Sequence, residues 1–176
     1  MNKEPLVSVI ITYYKKKPFL KKTLKSILNQ TYKNYEIIFV FDDEDKNDLK
    51  FVKQNLLKFK KKKLIINNKN LGVAKSRNLA LKNSNGSYVA FIDSDDIWKK
   101  KKLSKQIKFM KRNSCDFSFT SYSIIDEKNG FVMNRKVSKD ADYQTLIKSN
   151  YIGLNTVVVN KKILRYLYFP YLRTQE

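Results

Sequence analysis

The sequence has no histidine and one cysteine, Cys115. These two absences remove much of enzyme chemistry. A Ser-His-Asp triad, a Cys-His pair and any histidine-ligated metal need imidazole. An internal disulfide or a cysteine zinc cluster needs more than one thiol. Acidic residues are scarce, 16 against 37 basic ones, for a formal net charge of +21. Glycine numbers only four, so there is no long glycine-rich loop for a triphosphate, and a nucleotidyltransferase built on one is excluded. No apolar run approaches the ~20 residues that cross a bilayer. The polar start, Met1 to Pro5, lacks a signal-peptide pattern. What remains is the chemistry of carboxylates, lysines, hydroxyls and a metal held by oxygen.

The 176 residues are 42% hydrophobic and 13% aromatic, which suits one domain with one core. The positive charge admits nucleic acid or an anionic membrane surface as a partner. All but five of the basic residues are lysine, and asparagine and isoleucine are plentiful, a composition that fits drift toward A/T-rich codons. The lysine runs 15–17, 60–63 and 99–102 lie beside predicted elements, where solvated lysine costs little. RNA-binding patterns of glycine with interleaved aromatics are absent. A basic nucleic-acid module is therefore the weaker reading, with steep salt dependence as its mark.

Val7 to Tyr13 reads as a buried strand. Pro18 opens a helix with Leu20, Leu24, Ile27 and Leu28 on one face. Ile37 to Phe41 is a second strand and ends in Asp42-Asp43-Glu44-Asp45. Leu49, Val52, Leu56 and Phe59 mark a helix, Leu64 to Ile66 a strand, and Gly72 opens a third helix. Tyr88 to Ile92 is a fourth strand and ends in Asp93-Ser94-Asp95-Asp96, followed by a helix through Leu103, Ile107 and Met110. This alternation predicts an α/β fold with a parallel sheet covered on both faces. After Cys115 the pattern changes. Phe117, Phe119, Ser121 and Ser123 read as a strand and Asn129-Gly130 as a hairpin turn. Ala141 to Ser149 reads as a short helix, Thr156 to Val159 as a strand, and Lys161 to Leu167 as the start of a helix. No repeat or linker divides the chain, so 1–176 is taken as one domain.

Ligands of open α/β sheets sit beyond the carboxyl ends of the strands, and two strands here end in carboxylates. Asp93 and Asp95 are two apart, so in extended chain both face one side. All-oxygen ligation favours Mn2+ or Mg2+. The competing reading is that Asp95 or Asp96 caps the next helix. Asp42 and Asp43 divide evenly between cap and ligand. Asn70-Leu71-Gly72 through Arg77-Asn78 leads into a helix, where amides with Lys75 and Arg77 can face an anion; the alternative is an ordinary loop with exposed basic residues. Trp98 reads as a core anchor beneath the acidic loop.

An ordered series of segments resembles the family 2 glycosyltransferases, from Val7 to the last residue. It comprises Val7-Ser8-Val9-Ile10-Ile11-Thr12-Tyr13-Tyr14, Ser26-Ile27-Leu28-Asn29-Gln30-Thr31-Tyr32, Glu36-Ile37-Ile38, the Asn70–Asn78 stretch, Gly86 to Asp96, and Trp98. The resemblance implies a GT-A, Rossmann-like fold: a mostly parallel central sheet flanked by helices, with a small mixed β region toward the C-terminus. Residues 1–114 would be the nucleotide-sugar-binding half and 115–176 part of the acceptor-side half. It implies an inverting, metal-assisted enzyme that moves a sugar from a nucleotide-sugar donor, a UDP-sugar, to a saccharide or lipid-linked acceptor in surface polysaccharide or lipopolysaccharide assembly. The nucleobase would be held by Thr12, Tyr13 or Tyr14 and by Asp42 or Asp43. Lys75 and Arg77 would approach the diphosphate. The family's Asp-x-Asp falls on Asp93 and Asp95, around Ser94; the first touches ribose or metal and the second binds the metal.

The chain departs from the family at three places. Phe41-Asp42-Asp43-Glu44-Asp45 stands where Asp-Asp-Gly-Ser follows the second strand. Thr12-Tyr13-Tyr14-Lys15 stands where Pro-Thr-Tyr-Asn is common. Phe169 to Glu176 resembles the approach to the family's Glu-Asp pair, so the catalytic-base aspartate would be the residue after Glu176. The chain is read as cut short there, and a donor-binding but inactive fragment is the alternative function. The aromatics Tyr166, Leu167, Tyr168, Phe169 and Tyr171 beside Lys161, Lys162, Arg165 and Arg173 suggest peripheral contact with an anionic inner leaflet. The expected location is cytoplasmic.

Overall fold

A computed structural model describes residues 4–126, 128, 130–137, 143–166 and 168–170. Four parallel strands, β1 (Val7–Tyr13), β2 (Tyr35–Phe41), β3 (Lys62–Ile66) and β4 (Tyr88–Phe91), alternate with α1 (Lys17–Leu28), α2 (Leu49–Leu56), α3 (Val73–Lys82) and α4 (Lys102–Arg112). Then come β5 (Phe117–Ser118), β6 (Tyr122–Ile125), β7 (Phe131–Arg135), α5 (Tyr143–Lys148), a 3-10 turn at Leu154–Thr156, β8 (Val158–Asn160) and a 3-10 segment at Lys161–Tyr166. The main sheet has the order β3-β2-β1-β4-β8-β5, with β8 antiparallel to both neighbours. β6 and β7 form a separate antiparallel pair. The α/β sheet with a small mixed region is the architecture expected from the sequence.

The strands are apolar on both faces because both faces are covered. Val7, Val9, Ile11 and Tyr13 pack with Leu20, Leu24 and Ile27 of α1 and Leu103, Ile107 and Met110 of α4. Ile10, Ile38 and Val40 point the other way, toward Ala80 of α3 and Val157 and Val159. Each fully buried aliphatic side chain contributes about 1.5–3 kcal/mol. The edge of the sheet is stepped. Val7–Ile10 pair with Tyr88–Phe91, while Ile11–Tyr13 pair with β2 alone. Three residues of strand make a step of about 10 Å.

At the amino edge, buried polar groups close on one another. Ser8 Oγ donates to Glu36 Oε1 at 2.6 Å, the Asn85 amide donates to the same oxygen at 2.6 Å, and the Gly86 amide donates to Ser8 Oγ at 2.8 Å. Burial alone would raise the Glu36 pKa, but the bonds from Ser8 and Asn85 outweigh it and hold it below the ordinary value. A Cβ at Gly86 would stand 2.6 Å from the Ser8 nitrogen, so only glycine fits against β1. Gln30 joins two helices: its Nε2 donates to the carbonyls of Ser26 and Lys99, and its Oε1 accepts the Leu103 amide of α4 at 3.1 Å. No aspartate caps α4, so the capping reading of Asp95 and Asp96 falls.

The region after Cys115 differs from its sequence pattern. The stretch read as one strand from Phe117 to Ser123 is two strands in two sheets. The expected helix at Lys161 is 3-10. Asn129, at the hairpin turn, lies outside the described residues, as do residues 171–176. β5 and β8 extend the main sheet, so both halves of the chain share it. They are tied to α4 by Gln106, whose Nε2 donates to the carbonyls of Thr156 at 3.0 Å and Ser118 at 3.3 Å. Beside it Lys102 donates to Gln106 Oε1 at 2.7 Å and lies 4.5 Å over the Trp98 ring.

Burial pulls the Lys102 ammonium down to about 7. Its folded pKa lies below the unfolded one, so the cost of burying it is full below about pH 7 and fades as pH rises toward the unfolded value. Replacing Lys102 with Met should raise stability in urea unfolding at pH 7, and the gain should shrink steadily toward pH 10. A gain independent of pH would show that Lys102 is not buried as a charge.

Candidate functional site

The strand order reverses at β1. The chain moves outward through β2 and β3, then returns to lay β4 on the other side of β1. Such a reversal opens a crevice beyond the carboxyl ends of the two strands. The step between β1 and β4 lies there.

On one side of the crevice Asp42 follows β2. It is 3% exposed, and its Oδ1 accepts Asn67 Nδ2 at 2.7 Å and the Leu71 amide at 2.8 Å. Asn67 also donates to Ser76 Oγ of α3, so Asp42 belongs to the loop that leads into α3. That loop turns at Gly72, whose φ of +84° suits glycine, and the Gly72 amide donates to Asn70 Oδ1. Asp43 is also buried, but it caps its own loop: its Oδ1 accepts the Asp45 amide, and its carbonyl accepts Lys46 Nζ.

Tyr13 faces away from the crevice. Its ring is fully buried, stacked 5.2 Å from Phe41, and its hydroxyl donates to Asp48 Oδ2 at 2.6 Å. Burial, then the bond to Asp48, raises its pKa, while Lys17 and then Tyr13 lower that of Asp48. Thr12 is half-buried and Tyr14 is exposed at the strand end. Lys15 follows with a φ of +50°.

On the other side, Asp93 to Asp96 form a turn rather than extended chain: the Asp96 amide donates to the Asp93 carbonyl at 3.1 Å. The expectation that Asp93 and Asp95 face one side as in a strand is thereby corrected. Asp93 accepts Arg77 Nη2 of α3 at 2.9 Å, and Asp95 pairs with Lys16 at 2.8 Å. Arg77 is 7% exposed and lies 5.4 Å from the Phe169 ring. Asn78 fixes Phe169 by two bonds of 2.9 Å to its backbone. Lys75 is exposed on the first turn of α3. The Ser94 carbonyl accepts Thr23 Oγ1 at 3.0 Å. Asp96 is pushed up to about 6, by burial first and then by the charge of Asp93, against a bond from Asn155. Trp98 is buried beneath the turn, as expected.

Asp42, Arg77, Asp93, Ser94 and Asp95 are therefore gathered around the carboxyl ends of β1, β2 and β4. Asn67 and Asn155 were missed because they are single polar residues with no motif around them, and Lys16 because it lies in a lysine run read as solvated. The oxygen donors of Asp93 and Asp95 suit a hard divalent ion. Among the described residues no group of three or more Asp, Glu, His or Cys side chains is placed to hold a metal.

Comparison with known proteins bears on the family and the fold. Residues 8–166 match the model of glycosyl transferase family 2. The chain is 35% identical, over 97% of its length, to the Escherichia coli protein WfgD, named UDP-Glc:alpha-D-GlcNAc-diphosphoundecaprenol beta-1,3-glucosyltransferase, and spans 66% of that relative. The crystal structure of S. aureus TarS superposes with a TM-score of 0.74 at 25% identity, covering 93% of this chain and 30% of that one. A mannosyltransferase from Pyrobaculum calidifontis, in complex with GDP-Man and Mn2+, superposes with a TM-score of 0.69 at 17% identity, covering 96% of this chain and 48% of that one.

The left-handed backbone at Lys15 costs about 1–2 kcal/mol for a residue other than Gly or Asn. Lys15→Asn should therefore stabilise the chain by about 0.5–1 kcal/mol in urea unfolding, whereas Lys15→Ala should not. Equal effects of the two variants would place the gain in lost charge rather than in backbone strain.

Proposed function

Since the chain belongs to glycosyl transferase family 2 and has its GT-A fold, we propose that it transfers a sugar, with inversion, from a UDP-sugar to a saccharide or lipid-linked acceptor in cell-surface polysaccharide assembly. One observation carries the reading. A buried carboxylate and two acid–base ion pairs meet where the strand order reverses, offering an acceptor for a nucleobase and matched charge for a cation and a diphosphate. The donor and lipid-linked acceptor in the name of WfgD support it.

Asp42 is the better candidate for the base. Its Oδ1 is held by Asn67 and Leu71, which orients Oδ2 as an acceptor for an imide N–H such as that of uracil. Thr12 and Tyr14 complete the base end, and Tyr13 holds the strand beneath them. Arg77 and Lys75 serve the diphosphate, and Asp95 with Asp93 holds Mn2+ or Mg2+. Bound there, the ion would act as a Lewis acid on the departing diphosphate. With only two protein carboxylates, the ion should bind weakly alone and tightly with nucleotide.

Thermal-shift titration tests this. UDP with Mn2+ at 100 times its dissociation constant should add about 2.7 kcal/mol of stability. EDTA or Asp95→Ala should remove most of the shift. Asp42→Asn puts an amide where Oδ2 stood, so UDP should weaken about tenfold and CDP should gain relative to it. No shift with any nucleotide would overturn the donor site.

A second reading rests on the carboxylates. Asp48, Asp93, Asp95 and Asp96 are each engaged by a donor within the fold and Asp42 is assigned to the base, so none of these five is given over to the acceptor's proton. On this second reading the chain binds donor without turning it over. A peripheral position at the cytoplasmic membrane face would suit a lipid-linked acceptor. Phe131, Val132 and Met133 of β7 and Tyr168 are exposed, whereas Phe169 packs against Phe91 and Arg77; Leu167, Tyr171 and Arg173 lie outside the described residues. Among the described residues no helix is long and apolar enough to cross a membrane. The chain should co-sediment with anionic but not neutral vesicles. UDP release in the presence of lipid-linked acceptor, above the acceptor-free rate, would exclude the non-catalytic reading.

A further inference from the structure

The turn that carries Asp93 and Asp95 is held from two flanks. The first flank is α1. Thr23 Oγ1 donates to the Ser94 carbonyl at 3.0 Å, and Ser26 Oγ accepts the Trp98 amide at 3.1 Å. The second flank is a single residue from the acceptor-side half of the chain. Asn155 Nδ2 donates to Asp96 Oδ2 at 2.6 Å, and the Asn155 carbonyl accepts Trp98 Nε1 at 2.9 Å. One residue therefore grips the segment both at the end of the turn and two residues beyond it.

Asn155 is itself well anchored. It lies in the 3-10 turn Leu154–Thr156, where the Thr156 amide and hydroxyl both donate to the Gly153 carbonyl. The Thr156 carbonyl is held by Gln106 of α4, and the next residues run into β8 of the main sheet. Asp96 stands in the field of two neighbouring carboxylates, Asp93 and Asp95. A carboxylate so placed is destabilised as a charge, and the Asn155 amide is the donor that offsets it.

We propose that Asn155 is a positioning residue: from the acceptor-side half it fixes the Asp93–Asp96 turn, and so sets the placement of the two carboxylates assigned to the cation. The turn geometry is independent of the donor assignment, while the effect on cation and nucleotide rests on the function proposed above.

The test compares four full-length chains: wild type, Asn155→Ala, Asp96→Asn, and the exchange Asp96→Asn/Asn155→Asp, which rebuilds the bond with donor and acceptor reversed. The first readout is amide hydrogen exchange over residues 94–98 without metal. Asn155→Ala should speed it about tenfold or more, leaving β1 and α1 unchanged. Asp96→Asn, which keeps an oxygen acceptor for Asn155, should stay near wild type. The exchanged pair should return to within about threefold of it. The second readout is UDP affinity by calorimetry. Asn155→Ala should weaken it about tenfold with Mn2+ and leave it unchanged with EDTA.

Unchanged exchange in Asn155→Ala would overturn the proposal. So would a folded exchanged pair that exchanges as fast as Asn155→Ala. If Asn155→Ala does not fold, a folded exchanged pair whose residues 94–98 exchange about tenfold or more faster than those of wild type and Asp96→Asn overturns the proposal, and one within about threefold supports it. If wild type binds no UDP with Mn2+, the donor-site reading fails, and hydrogen exchange alone decides whether Asn155 holds the turn.

Discussion

β1 is hydrogen-bonded on both sides and covered on both faces, and this constraint governs where polarity can go. A strand buried that way has no place for a charged side chain along its length. Polar groups collect at its two ends, and the two ends solve the problem differently. At the amino edge Ser8, Glu36, Asn85 and Gly86 satisfy one another through short side chains and backbone, which leaves nothing for a ligand. At the carboxyl edge the charges of Asp93 and Asp95 are met by the long side chains of Arg77 and Lys16. Lys16 is half exposed and open to exchange for another cation, whereas Arg77 is packed in place. The first edge holds the sheet, and the second is the edge to which the proposed function assigns the ligand.

Much of this was legible in the sequence because period and burial leave the same mark. Apolar runs that end in aspartates located the strands, their direction and the crevice. The placement of Tyr13 was legible too, since it shares a face with Val9 and Ile11 and so turns into the core. Its position at the strand end drew attention to ligand contact instead. The long-range partners carried no such mark. Asn67, Asn155 and Lys16 reach residues 25, 59 and 79 positions away. No local pattern encodes those contacts. β5 and β8 are two and three residues long, too short for a period, so their entry into the main sheet could not be read.

The basic residues divide by chemistry. Most lysines are solvated and answer for the high net charge without a role in the fold. Arg77 is buried, with its flat guanidinium between Asp93 and Phe169. A plane that stacks on one side and donates at its edge suits that slot, and a lysine would fill it poorly. Through Asn78, the same slot fixes the backbone at Phe169, so the far end of the chain is registered against the carboxylates of β4.

The step between β1 and β4 has a thermodynamic consequence. It arises from unequal strand lengths inside a packed sheet, so the step forms when the chain folds. The entropy of shaping its walls is already spent before binding. On the function proposed above, a nucleotide bound at this step would order mainly itself. Binding heats across a series of nucleotides should then track the contacts each base makes, with a heat-capacity change set by the surface of the ligand and its walls rather than by refolding of the protein.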